Sequence, residues 1–284
     1  MWGMSRAGRD RAFYHFCRFV TWSAIVILVV LVSHVALKGL SWISWDFLTG
    51  LGSRDPQKAG IKTAVMGSLW LIFLTAAFAI PFGVATAVFL HEYADNKSKM
   101  IRILQVNIAN LAGMPSIIYG LLGLTLFVRG LGFEDSLLSG ALTLALLILP
   151  VIVISSQEAI RAVPNSVRYG AYALGARKWQ VILWQVLPAA LPGIMTGVIL
   201  SISRAIGETA PLVIIGALSY ISFVPDSVYS SFTALPVQIY NWAQRPQAEF
   251  HSLAAAGIIV LLAVLFTMNL TAILIRQKYQ RYKL

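Results

Sequence analysis

SVRYGAYALGARKWQVILWQVLPAALPGIMTGVILSISRAIGETAPL, residues 166–212, decides how this chain is read. Its first thirteen residues set Arg168, Arg177 and Lys178 among small side chains, a composition that keeps the segment in water. From Trp179 to Pro225 there follow 47 residues with only two charges, Arg204 and Glu208. A helix needs roughly 20 apolar residues to cross a bilayer, and this run is more than twice that. A basic loop of small residues feeding a long uncharged run is the pattern of a membrane protein.

The rest of the chain agrees. Of 284 residues, 58% are hydrophobic and 12% charged, with a mean hydropathy of +0.77. Soluble domains carry about 25% charged residues, so a water-exposed globular protein is excluded. The formal charge of +11 is not a nucleic-acid signal. Lys and Arg gather at the ends of apolar runs, where they set orientation in a bilayer, and form no stripe interleaved with aromatics.

Working outward from 166–212, the apolar runs 19–37, 63–90, 103–128, 136–157 and 252–275 each hold one span. Residues 38–62 read as a polar connection, 91–102 as a short charged loop and 158–180 as the most basic internal loop. The run Phe19–Leu37 follows Arg6, Arg9, Arg11 and Arg18 but is long for a signal peptide and lacks a clean small-residue cleavage site, so it reads as a retained span. The 47-residue run is long enough for two crossings. Gly207, Pro211 and Gly216 interrupt its second half, which favours one span followed by a non-helical or re-entrant return, because broken backbone at depth is tolerated where it lines a cavity or packs on protein. The expected fold is therefore an all-α polytopic membrane protein with six transmembrane helices. With six spans, 15 of the 22 Lys and Arg fall on the side of both termini and six on the other, which places the termini in the cytoplasm.

Few side chains offer chemistry. Cys17 is the single cysteine, the four histidines are scattered without ligand spacing, and no phosphate-binding G-x-x-x-x-G-K-[ST] loop occurs. No catalytic group, metal site or cofactor is expected. If ATP drives this protein, another chain binds it. Arg204 and Glu208 stand four residues apart, close enough to pair on one helical face, though Arg before Glu is the less favourable order for a helix. Counting from a helix start at Pro188–Pro192, Arg204 lies about 20 Å along the helix. A charge at that depth costs about 2.5–3.5 kcal/mol on insertion scales. Two readings follow: Arg204 offers its planar fork to an oxyanion in an aqueous pathway, with Glu208 orienting it, or the two form a buried pair that fixes helix register. Pro115 breaks the third span, where the Ser116 hydroxyl either faces a path or caps a freed carbonyl. Gly193 and Gly197 permit close helix packing. Tyr220, Phe223, Tyr229, Phe232, Tyr240 and Trp242 read as an interfacial aromatic belt. The small-residue face of 167–180 is either a surface for a groove on another protein or a solvated loop helix.

The loop resembles the cytoplasmic coupling loop of ABC importer permeases, whose motif is Glu-Ala-Ala, a glycine four positions on, and a later Leu-Pro. Here those positions read Tyr169-Gly170-Ala171, Gly175 and Leu187-Pro188, with Tyr169 and Gly170 departing from the motif. SRAIGETAPL (203–212), NLAGMPSIIYGLLGL (110–124) and LPVQIYNWAQRP (235–246) further resemble the PstA permeases of the high-affinity phosphate import system, over roughly residues 40–275. The resemblance implies a type I ABC importer fold in a bacterial inner membrane. With the spans and charges read above, the chain is expected to divide into a cytoplasmic basic tail (1–18), a first transmembrane helix (19–37), a permease domain (60–275) and a cytoplasmic basic C-terminal tail (276–284). Within the permease domain, 158–180 would be the coupling loop and 219–250 an external segment. The resemblance also implies two copies of an ABC ATPase, a second, homologous permease, an extracytoplasmic phosphate-binding protein, and Arg204, Glu208, Thr209 and Ser116 along the substrate path. A secondary anion transporter would need a second copy of 166–212, which the sequence lacks. Molybdate, sulfate or phosphonate stay open as the anion, since a guanidinium does not distinguish tetrahedral oxyanions.

Overall fold

A computed structural model describes residues 6–95, 97–217 and 221–281 of the chain. Five helices within it are long and apolar enough to cross a membrane, and a bent pair makes a sixth crossing. We label the elements α1 (Arg6–Gly39), α2 (Lys62–Tyr93), α3 (Lys99–Ala112), α4 (Ser116–Gly130), α5 (Leu137–Arg161), α6 (Asn165–Ala173), α7 (Lys178–Gly207), α8 (Ala210–Ile214), α9 (Leu235–Ala243) and α10 (Ala248–Arg281).

The centre is α5, packed between α2 and α7. Its small residues let neighbouring backbones close in, which is how helices associate in lipid, where apolar burial drives little. A Cβ on Gly83 of α2 would meet Ile152 at 2.6 Å, and one on Gly193 of α7 would meet Ala159 at 2.8 Å. Gly197 faces Ser155 in the same way, so the G-x-x-x-G of α7 is a packing seam against α5. A polar seam joins α7 to α10: Arg276 donates to the Thr196 hydroxyl at 2.8 Å, and Ser203 bonds Asn269 at 2.6 Å.

Residues 6–18 form the start of α1, and 276–281 continue α10. Other expectations need correcting. The stretch 38–62 is no loose polar loop. Ser44 caps the short helix Trp45–Thr49 by accepting from the Phe47 amide, and Phe47, Ala59 and Ile61 are buried with Trp242, Phe250 and Leu253. Phe232 and Trp242 are likewise core residues, 0% and 1% exposed, so the aromatic belt shrinks to Phe223, Tyr229 and Tyr240 (Tyr220 lies outside the described residues).

The third span is two helices. Gly113-Met114-Pro115 interrupts it, and α3 and α4 meet at 107°. Proline disfavours helical backbone at the residue before it, which ends α3 ahead of Pro115. The long run after α7 also breaks. Glu208 is extended (φ −75°, ψ 121°), and the five-residue α8 follows. The chain does not turn back there. Gly193 packs on Ala159 and Ala205 on Ala145 and Ile148, while Leu212 and Ile215 reach Leu137, Ala141 and Leu144. Residues 193–215 thus climb steadily along α5, and Glu208–Thr209 is a break in a continuing crossing rather than a re-entrant return.

Candidate functional site

Both breaks sit beside the middle of α5. Met114 and Tyr119 from the first, and Ala205 from the second, pack on the same patch of Ala145, Ile148 and Ile152. Above it α4 and α8 run together: a Cβ on Gly120 would lie 2.8 Å from the Pro211 Cα. Tyr119 is 4% exposed, and its hydroxyl donates to the Leu111 carbonyl at 2.8 Å, which also accepts the Met114 N–H at the end of α3.

Arg204 lies in the last turn of α7, where a cation suits the negative end of the helix dipole. Its Nε donates to Glu208 Oε1 at 3.2 Å. The pair spans the helix end rather than lying along one face, so the unfavourable ordering inside a helix does not apply. Among the described residues, the two terminal nitrogens of Arg204 have no partner. Side-chain exposure is 46% for Arg204 and 17% for Glu208: the carboxylate is tucked in and the guanidinium fork presented outward. Leu200, one helical turn before it, is 65% exposed, and Ile117 and Leu121 of α4 are also more than half exposed. Thr209 is half-buried at the start of α8, and Ser116 half-buried in the first turn of α4; neither hydroxyl bonds to the pair. The structure therefore brings Arg204 and Glu208 together and holds Ser116 and Thr209 at the two breaks without linking them. An apolar groove of about 1160 Å³ lies elsewhere, between α2 and α7, lined by Pro81, Val84, Trp179, Leu187 and Pro188 among others.

The predicted coupling loop holds α6. Pro164 precedes it and Gly175 ends it in the left-handed region (φ 82°), with Gly175 N–H on the Tyr172 carbonyl and Ala176 N–H on that of Ala171. Tyr169 is 68% exposed, Gly170 is exposed and Ala171 is half-buried against the protein. Leu187 and Pro188 are apart from these, inside α7, about 15 Å along the helix from its start at Lys178. A cleft of about 330 Å³ opens between Gly170, Leu174, Gln180 and Trp184.

Residues 79–279 match the family described as "Binding-protein-dependent transport system inner membrane component". The chain belongs to that family of ABC importer permeases. Its relatives include the phosphate transport system permease protein PstA 1 of Mycobacterium tuberculosis (strain CDC 1551 / Oshkosh), 37% identical over 76% of this chain and 70% of that protein. PstA of Mycobacterium leprae is 39% identical over 79% and 74%, and the probable ABC transporter permease YqgI of Bacillus subtilis 32% over 87% of each. Among solved structures, a bacterial alginate ABC transporter superposes with a TM-score of 0.68 at 15% identity, covering 93% of both chains. The MetNI methionine transporter gives 0.64 at 17%, over 76% of this chain and 94% of that one. These carry the type I importer fold. The chain is accordingly a multi-span inner-membrane permease subunit.

Sequence reasoning missed several residues of this permease. Arg168, read as solvated, is half-buried and paired with Glu92, with 11% and 10% side-chain exposure. Glu92 is the carboxylate nearest the inner end of α2, and that lone position was the available signal. Tyr119 and Asn269 had none: a tyrosine or asparagine in an apolar run reads equally well as lipid-facing, and only packing shows what each bonds.

Proposed function

We propose that this permease carries inorganic phosphate into the cell, with Arg204 as the anion contact at mid-membrane. The observation that supports it is the free fork of Arg204, presented at the meeting point of two helix breaks and steadied from behind by Glu208. A planar guanidinium bonds two oxygens of a tetrahedral anion at once. Glu208 holds the fork in register, and its negative charge keeps the anion from binding too tightly to leave. The PstA relatives supply the choice of phosphate.

In this reading a second, homologous permease covers the apolar surface around Arg204, and the path runs between the two. Two copies of an ABC ATPase bind the 158–180 loops, an extracytoplasmic binding protein delivers phosphate, and both termini lie in the cytoplasm. Closure of the ATPases around ATP moves the loops and opens the path outward; hydrolysis reverses it. The chain itself supplies no hydrolytic step.

Uptake of labelled phosphate at low micromolar concentration, in cells lacking this chain and in cells complemented with it, tests the proposal. Uptake should vanish on deletion and withstand excess sulfate and molybdate. Arg204→Ala should insert and assemble normally but lower uptake by about tenfold or more, since hydrogen bonds to charged groups contribute about 1.5–3 kcal/mol and about 1.4 kcal/mol is a factor of ten. An Arg204→Ala protein that transports normally refutes the pathway role. Unchanged uptake on deletion, or competition by sulfate or molybdate, refutes the substrate.

A further inference from the structure

The two legs of the 162–178 loop are tied to consecutive residues of α2. On the first leg, Arg168 Nη2 and Nε donate to Glu92 Oε1 at 2.9 and 3.3 Å. The same guanidinium donates to the Val163 carbonyl at 2.7 Å and the Ile160 carbonyl at 3.0 Å. On the second leg, the Lys178 ammonium sits 4.8 Å from the centre of the Tyr93 ring. Glu92 and Tyr93 belong to the π-helical turn Phe89–Tyr93 that ends α2. Such wide turns are frequent at functional positions.

Stability is a weak reason for this arrangement. Taking two charges out of water offsets most of what their attraction returns, and an apolar pair of similar volume often serves the fold as well. What the ion pair adds is geometry. A rigid fork meeting acceptors on α2, on the end of α5 and in the loop lets α6 neither lift nor rotate without breaking several charge-assisted bonds together. The loop is already joined to α5 and α7 by the chain itself. To α2, 76 residues earlier in sequence, the side chains supply the join.

We propose that Glu92 and Arg168 are positioning residues of the transport cycle: a strap that makes α6 and α2 one rigid body, so that displacement of the loop by the ATPase passes directly into a helix crossing the membrane. Because α2 packs on α5, the motion reaches the patch beneath Arg204. The inference rests on the ABC permease reading of this chain and is independent of which anion is carried.

The whole transporter, reconstituted in vesicles with its binding protein, tests this by ATP hydrolysed per phosphate imported. Amide hydrogen exchange across Asn165–Ala173 is measured in the same preparations. Arg168→Ala and Glu92→Ala should raise the ratio several-fold and speed exchange, with Arg168→Lys and Glu92→Gln intermediate. Assembled alanine variants that keep the wild-type ratio overturn the strap. If the alanine variants do not assemble, Arg168→Lys and Glu92→Gln decide, and wild-type ratios in both overturn it. Wild-type vesicles that import no phosphate sink the substrate assignment alone. Exchange then judges the strap, and unchanged protection in the variants overturns it.

Discussion

Gly170 and Gly175 look alike in sequence and answer to different physics. Gly170 lies inside α6, where a Cβ would have no atom within 4 Å. Glycine in a helix interior is less stable than alanine by about 0.5–1 kcal/mol, so Gly170→Ala should stiffen the loop helix and leave coupling intact. Gly175 also has open space around it, but its φ of 82° asks any residue with a Cβ to adopt a left-handed backbone. That costs about 1–2 kcal/mol. Gly175→Ala should therefore distort the turn after α6 and raise the ATP consumed per anion, while Gly170→Ala matches wild type. Equal ratios in the two variants would contradict this. The glycine at 175 was legible as part of a motif; that its role is conformational rather than a matter of bulk was not, because spacing carries no dihedral angle.

Between elements, the decisive contacts are at helix breaks. Pro115 announced an interruption, but the apolar run from 103 to 128 read as one span because hydropathy has no direction. Across the 107° bend, α3 packs Ile101 and Ile108 against the cluster of Val153, Ile160 and neighbours. Tyr119 holds the corner through the Leu111 carbonyl. Tyr119→Phe keeps the packing and removes that bond. The Leu111 carbonyl keeps the Met114 N–H, so the change removes one hydrogen bond, about 0.5–1.5 kcal/mol; the purified complex should melt at a slightly lower temperature and exchange across residues 108–114 should quicken. An unchanged melting temperature and exchange pattern would show that the corner stands without the hydroxyl. Gly207 and Pro211 similarly signalled the second break, yet its course outward along α5 became clear only from the pairing of Ala205, Leu212 and Ile215 with successive turns of α5.

At the scale of the molecule, this chain presents surfaces that a lone protein in lipid would not keep. Arg204 stands among exposed apolar side chains, and α1 is apolar yet exposed along most of its length, meeting α10 where Gly39 lies against Ala255 and Ala256. A guanidinium uncovered in hydrocarbon is strongly disfavoured, which is the physical reason for the proposal that another permease covers this face. Orientation follows from charge and is directly testable. In a Cys17→Ser background, Leu174→Cys (90% exposed) should react with a membrane-impermeant thiol reagent only from the cytoplasmic side. Tyr229→Cys (64% exposed) should react only from outside. The reverse pattern would invert the proposed topology.

The sequence by itself determined the class, the approximate spans, the loop and the two buried-run charges. Each follows from the transfer cost of a side chain or from local backbone preference, and both are properties of residues taken one at a time or a few together. Only the tertiary structure decided that the third span is bent, that the two breaks pack on one patch of α5, that Arg204 keeps its fork free, and that Arg168 is a half-buried tie to Glu92 rather than a solvated charge. Those depend on which residues far apart in sequence come within 3 or 4 Å of each other, here 76 positions apart for the strap, and no local pattern encodes that distance.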